Sequence, residues 1–260
     1  MSPEAPRLSV VIPTYQEATV IGSTLDSLRR ALTPAAPVEL VVADDHSTDG
    51  TPDVARHAGA DRVVVLDQHR GKGAAVRAGV MTAAGATVAF IDADLAYSPD
   101  QLLRLLEKVE SGCDVVVGSR RHVDAVTLVR ARRLREVTGR VFNEATRLLV
   151  LGEPRDTQCG LKAFSAAASR QIFERSRVDG FAFDVEIFLL AERLGLAVAE
   201  VPVELANTTA SSVRVGRDAA RMVRDLLRMR WWATTGGYPQ APGGGVAPGV
   251  GPRGGRQAGR

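Results

Sequence analysis

Short apolar runs alternate with helix-forming stretches through the first half of the chain, and that alternation is the strongest constraint on what it can fold into. Leu8–Pro13, Glu39–Ala43, Arg62–Leu66, Thr87–Ile91 and Asp114–Gly118 are strand-length runs rich in valine and other apolar residues. Apolar runs of this length, bounded by turn residues, suit strands buried on both faces. Between them, Glu17–Leu32 carries Val20, Ile21, Leu25, Leu28 and Leu32 at helical spacing, a second helix opens near Pro52, and Gly73–Ala84 is alanine-rich. Ser98-Pro99-Asp100 initiates a further helix. Buried strands alternating with helices predict an α/β fold with a doubly wound, mostly parallel central sheet flanked by helices.

After Gly118 the alternation breaks. Val126–Leu151 reads as a long helix, and eight arginines fall between Arg120 and Arg147. Gly160–Phe164 then reads as a short strand, Phe183–Leu194 as a helix, Val198–Val203 as a strand with Pro202 suited to a sheet edge, and Gly216–Trp232 as the last helix. From Gly236 to Arg260 the chain is dominated by glycine and proline and is expected to form a disordered tail, leaving 1–235 as one domain.

With 33 basic against 30 acidic residues the net charge is only +3, which points away from a general polyanion binder. The clustered arginines lack interleaved aromatics and any base-reading motif, so no nucleic-acid partner is expected. Cys113 and Cys159 have no metal-ligand spacing and fit reduced thiols in the cytoplasm. Neither an apolar leader nor an uncharged run of membrane-spanning length is seen, so any membrane contact is expected to be peripheral, on the cytoplasmic face.

Chemistry-bearing residues collect where the strands end. Val88-Ala89-Phe90-Ile91 runs into Asp92-Ala93-Asp94, two carboxylates separated by one small residue. Such acids repel unless a cation lies between them, and hard oxygen ligands suit Mg²⁺ or Mn²⁺ carrying a diphosphate; a loop cap with a solvated partner is the blander account. Pro13-Thr14-Tyr15-Gln16-Glu17 offers an aromatic for a base and a carboxylate for base or ribose, or simply a strand-to-helix turn. Asp44 and Asp45 end the second strand as ribose or base ligands, or as turn residues. In Arg70-Gly71-Lys72-Gly73 the glycines admit a ligand to the backbone and Lys72 opens a helix, a natural anion site, although a solvated loop lysine has the same sequence. All of these fall at carboxyl ends of consecutive strands, where open α/β sheets bind nucleotides.

The ordered set Val11-Ile12-Pro13-Thr14-Tyr15-Gln16-Glu17, Asp44-Asp45-His46-Ser47-Thr48-Asp49-Gly50-Thr51, Gly71-Lys72-Gly73, Asp92-Ala93-Asp94 and Gly118-Ser119-Arg120 resembles an inverting family 2 glycosyltransferase of GT-A fold. Asp156-Thr157-Gln158-Cys159-Gly160-Leu161-Lys162, followed by Phe183-Asp184-Val185-Glu186, is similar to the dolichyl-phosphate glucosyltransferase and dolichyl-phosphate mannose synthase branch. The resemblance implies a nucleotide-sugar-binding half over 8–120 and an acceptor-binding half over 121–235. It places Pro13, Tyr15, Glu17, Asp44, Lys72, Asp92 and Ala93 on the nucleotide sugar, with Asp94 as the ligand of Mg²⁺ or Mn²⁺. Arg120 would meet the sugar diphosphate or acceptor phosphate, with Gln158 and Arg214 also on the acceptor side; Asp156, ranked above Asp184 and Glu186, would orient sugar hydroxyls or arginines. The implied reaction carries glucose from UDP-glucose to a polyprenyl or dolichyl phosphate with inversion. GDP-mannose as donor, or a non-lipid acceptor, remains the alternative.

Two positions depart from the family pattern. His46 stands where glycine is common, which costs little if the turn avoids φ > 0. Ser212 stands where the family often has lysine, so Arg214 would have to supply that phosphate contact. A sugar-phosphate nucleotidyltransferase is disfavoured because Pro13–Glu17 is not a long glycine-rich loop, and a non-catalytic binding protein because Asp92 and Asp94 are intact. The last helix sets arginines 214, 217, 221, 224 and 228 beside an apolar stripe and ends in Trp231-Trp232. That pattern suits either an anionic membrane surface or packing on the sheet.

Overall fold

The computed structural model describes residues 5–119, 159–205 and 215–239. Among them are strands β1 (Leu8–Thr14), β2 (Val38–Asp44), β3 (Arg62–Val65), β4 (Thr87–Phe90), β5 (Val115–Ser119), β6 (Lys162–Ser165) and β7 (Val198–Pro202). The helices are α1 (Ile21–Ala31), α2 (Thr51–His57), α3 (Lys72–Thr82), α4 (Gln101–Glu110), α5 (Ala166–Phe173), α6 (Phe183–Arg193) and α7 (Val215–Thr234). One sheet runs β3-β2-β1-β4-β6-β5-β7 and is parallel except at β6, which is antiparallel to both neighbours. Pro202 does sit in an edge strand.

Alternate residues of each strand face opposite cores, as the two-residue strand period requires. Val10, Ile12, Leu40 and Val42 pack with Leu25, Leu28, Leu102 and Leu105 of α1 and α4. Val11, Val41 and Phe90 pack with Val76, Phe173, Phe183, Leu226 and Met229 of α3, α5, α6 and α7 on the other face. Burial on both sides explains why β1, β2, β4 and β5 read as continuous apolar runs, whereas β3, at the sheet edge, has no buried residue despite the same pattern.

The structure departs from the sequence expectations in particular places. The first helix begins at Ile21 rather than Glu17. Gln16 has φ +60°, and the Glu17 N–H is taken by Thr51 Oγ1 at 2.9 Å, so Glu17 lies in a loop at the strand end. Helix α5 was not marked by the sequence pattern. His46 has φ +65°, so the turn does use the left-handed conformation that glycine adopts freely. A non-glycine residue there costs roughly 1–2 kcal/mol, although histidine is among the residues that tolerate it better. Tyr238, within the stretch expected as tail, is buried, with its hydroxyl donating to Glu186 Oε1 at 2.5 Å and its ring edge-on to Trp232 at 5.9 Å. The long helix expected over Val126–Leu151 lies outside the described residues.

Candidate active site

The carboxyl ends of β1, β2, β3 and β4 open onto one crevice of about 1510 Å³, closed on its far side by α6, α7 and the loop from Arg177 to Phe181. Pro13, Tyr15, Glu17, Lys72, Asp92, Ala93 and Asp94 all line it. With Asp45 after β2, four separate strand-end and loop segments therefore deliver their side chains to one place.

Tyr15, 45% exposed, stacks on His69 with ring centroids 4.1 Å apart, giving an aromatic pair at the crevice wall. Asp44 is not on that wall. It is wholly buried and serves its own turn, accepting from Thr14 Oγ1 at 2.9 Å, Ser47 N at 2.7 Å and Ser47 Oγ at 2.6 Å. The neighbouring Asp45 lines the crevice instead and accepts from the N–H groups of Arg70 and Gly71, each at 2.7 Å, with His69 Nδ1 2.8 Å away. The oxygens of Asp44, expected on the nucleotide, bond within the turn, whereas Asp45 ties that turn to the loop bearing Lys72.

Lys72 is the first residue of α3. Gly71 before it has φ +125°, and a Cβ there would stand 2.6 Å from the Asp179 carbonyl oxygen, so only glycine lets the loop close on the 177–181 segment. The Lys72 ammonium lies 2.5 Å from Asp92 Oδ1. Burial opposes its charge, but Asp92, Asp184 and Asp94 outweigh that and raise its pKa. The other Asp92 oxygen faces Gly160, where a Cβ would come within 2.3 Å of it. Because β6 runs antiparallel, Lys162 pairs with Phe90 in register and Gly160 lies level with Asp92. That reversal is what brings the Cys159-Gly160 segment to the crevice.

Behind this surface, Lys162 is wholly buried, donating to the Cys159 carbonyl at 2.6 Å and to Asp184 Oδ1 at 2.5 Å. Burial raises the Asp184 pKa against the lowering effect of Lys162 and Lys72. Asp184 itself lines the crevice. Glu186, two residues on, turns away and accepts from Arg177 N at 2.8 Å and Val178 N at 3.0 Å, holding the loop rather than facing the site. Glu17 is likewise pushed up, chiefly by burial and then by Asp94, Asp49 and Asp92. Arg120, Asp156, Gln158 and Arg214 lie outside the described residues. The sequence motif ending at Lys162 assigned that lysine no role, because its partner Asp184 lies 22 residues away in a separate motif.

A mostly parallel sheet whose strand ends gather acids, an aromatic and a helix-opening lysine around one crevice is the GT-A architecture of nucleotide-sugar transferases. The chain belongs to glycosyltransferase family 2, the model "Glycosyl transferase family 2" matching residues 9–173. It is 34% identical over 242 residues to the dolichyl-phosphate beta-glucosyltransferase of Drosophila melanogaster, covering 86% of this chain and 74% of that one. The human protein of the same name is 31% identical over 255 residues, with 89% and 77% covered. Glycosyltransferase AglD of Haloferax volcanii is 35% identical over 237 residues, covering 88% of this chain but only 37% of that longer protein. Among solved structures, glucosyl-3-phosphoglycerate synthase from Mycobacterium tuberculosis, in complex with Mn²⁺, UDP-glucose and phosphoglyceric acid, superposes with a TM-score of 0.67 at 26% identity, covering 87% of this chain and 80% of that one.

Proposed function

We propose that the protein transfers glucose from UDP-glucose to a polyprenyl or dolichyl phosphate with inversion, giving a β-linked lipid-phosphate sugar. The observation that carries this reading is the convergence of Tyr15, Glu17, Lys72, Asp92 and Asp94 on one crevice. Sequence relatives named dolichyl-phosphate beta-glucosyltransferases support the acceptor, and the UDP-glucose complex of the structural neighbour supports the donor.

The donor set fits a divalent cation that arrives on a diphosphate rather than one held by a protein cage. No group of three or more histidine, cysteine, aspartate or glutamate residues able to hold a metal exists among the described residues. Mg²⁺ commonly binds through one or two carboxylates plus substrate phosphates, and Mn²⁺ accepts the same hard oxygens. In this reading Asp94 holds the ion, which when bound offsets charge on the departing UDP. Glu17, Asp92 and Asp94 line the same crevice, which agrees with a cation there.

The chain's own residues divide the remaining work. Tyr15 gives the base a flat partner. Lys72, at the N-terminus of α3, receives the diphosphate where its negative charge grows as the sugar–oxygen bond breaks. Asp92 aims Lys72, and Asp184 and Asp156 orient sugar hydroxyls. A phosphate monoester, with a second pKa near about 6, is already anionic at neutral pH. Its oxygen therefore attacks the anomeric carbon without a strong general base. Arg120, Gln158 and Arg214 would hold that acceptor, and the protein would work peripherally at the cytoplasmic face of a membrane.

The test offers UDP-glucose, GDP-mannose and other donors with a polyprenyl phosphate and Mg²⁺ or Mn²⁺, then measures which sugar becomes extractable into organic solvent. Glucose from UDP-glucose is expected. Mannose alone would reassign the donor, and transfer only to a soluble acceptor would overturn the lipid assignment.

A further inference from the structure

We propose that α7 carries the acceptor: its arginine face receives the phosphate of the incoming lipid, and the apolar strip beside it receives the chain. This rests on the reading that the acceptor is a lipid phosphate, and it adds a subsite within the described residues.

Arg221, Arg224 and Arg228 recur at i, i+3 and i+7 and line the same crevice as Lys72 and Asp94. Arg177 joins them from the opposing loop, its guanidinium lying over the Trp232 ring at 5.5 Å. Four arginines thus line one cavity, Arg177 with its guanidinium also over the Tyr238 ring at 5.8 Å. Against them stands Asp225, 3.5 Å from Arg224 and 3.9 Å from Arg228 at the nearest nitrogens. One carboxylate at those distances directs two side chains but neutralises one charge of four. Among the described residues no carboxylate forms an ion pair with Arg177 or Arg221. A phosphate monoester brings about 1.5–2 negative charges and three acceptor oxygens. Planar guanidiniums pair with such a group bidentately and desolvate more readily than lysine.

The adjoining face of the same helix has a different character. Val223, Leu227 and Trp231 follow one another at i, i+4 and i+8 and are 45%, 53% and 61% exposed. Packing does not explain them, because α7 packs through Leu226 and Met229, both wholly buried. At about 100° per residue the strip ends at Trp231, roughly 20° from Arg224, where the arginine face begins. Around the helix the order is core, Arg230, apolar strip, and then the arginines that line the crevice. An acceptor with an anionic head on an apolar chain matches that order, head inward and chain outward. A bilayer resting on α7 would use the strip but would leave the arginines facing a concave cavity.

The experiment uses the full chain and two variants, Arg221→Gln/Arg224→Gln/Arg228→Gln and Leu227→Ser/Trp231→Ser, each checked for folding by circular dichroism and melting temperature. The acceptors are a water-soluble two-isoprene phosphate and a long polyprenyl phosphate, the latter presented in detergent and, separately, in anionic vesicles. The charge variant should raise KM for both acceptors by roughly tenfold or more with KM for UDP-glucose unchanged. The strip variant should raise KM only for the long acceptor. Trp231 and Trp232 are the chain's two tryptophans, so titrating the intact protein with the two-isoprene phosphate should change its fluorescence saturably, and the charge variant should lose that response. The fluorescence arm does not depend on turnover: saturable binding without sugar transfer would sink the proposed reaction and keep the subsite. Unchanged acceptor KM in the charge variant, or an effect confined to acceptor presented in anionic vesicles, would overturn the inference, the latter assigning α7 to the bilayer.

Discussion

Two carboxylates that line the crevice, Glu17 and Asp184, and two at the amino end of the sheet, Glu39 and Glu110, are held in opposite states. At the amino ends of the strands, Glu39 is met by Arg62 Nε at 2.6 Å, by Ser9 Oγ at 2.5 Å and by the Ala84 N–H at 2.9 Å, and its pKa is lowered despite burial. Glu110, pulled down by Arg7, behaves likewise nearby. At the carboxyl ends Glu17 and Asp184 are both raised, with burial as the leading cause. One end has carboxylates whose hydrogen bonds outweigh burial, so it stabilises the fold. The other leaves acids under-compensated in a cleft, an arrangement that costs stability and suits the binding of something positively charged.

The sharpest way to break this contrast is to remove the buried cation that restrains the crevice end. Lys162→Met keeps the length of the side chain but leaves Asp184 buried without its partner, which costs about 3–5 kcal/mol. For a domain of this size that is a fall in melting temperature of roughly 6–20 °C. Adding Asp184→Leu should restore much of the loss, because a packed apolar pair replaces a buried ion pair at little cost. A single variant that melts with the wild type would mean that Lys162 contributes nothing to the balance at that end.

Next in size is an effect on turnover rather than folding. Asp94 Oδ1 accepts from the Ala96 N–H at 3.1 Å, a bond that asparagine can keep. Asp94→Asn should therefore melt as the wild type does while kcat falls about 10²–10³-fold, the usual cost of one lost electrostatic contact to the transition state. Excess Mn²⁺ should recover little of it. Retained activity would remove Asp94 from the metal role and erase the functional side of the contrast.

These tests also mark how far the sequence could be read. The buried strands were legible because burial on both faces leaves uninterrupted apolar runs, and the crevice because its residues sit at the ends of those runs. What escaped was set by contacts between distant segments. Asp44 and Asp45 are adjacent acids with the same local signal, and only the sharp turn through His46 commits the first to Ser47 and the second to the Arg70–Gly71 backbone. Glu17 looked helical because its neighbours have helical spacing, whereas Thr51 holds its N–H in a loop. Tyr238 sits in a glycine-rich stretch with no periodicity, and its anchor, Glu186, is 52 residues away.

The smallest expected effect concerns the amino end alone. The folded-state pKa of Glu39 lies below its unfolded value, so the stabilisation it provides is complete above the unfolded pKa of about 4.3 and is lost as pH falls through the lower folded value. Glu39→Gln keeps an acceptor for Ser9 or Arg62 but has no charge to titrate. Measured by denaturant unfolding, the wild type should lose more stability between pH 6 and 3 than the variant, and the two curves should converge at the acid end. Glu17 and Asp184 titrate with the opposite sign: with their folded pKa values raised, protonation favours the folded state. The difference between wild type and Glu39→Gln therefore isolates the amino end, and parallel curves would show that its ion pair is worth no more than an exposed one.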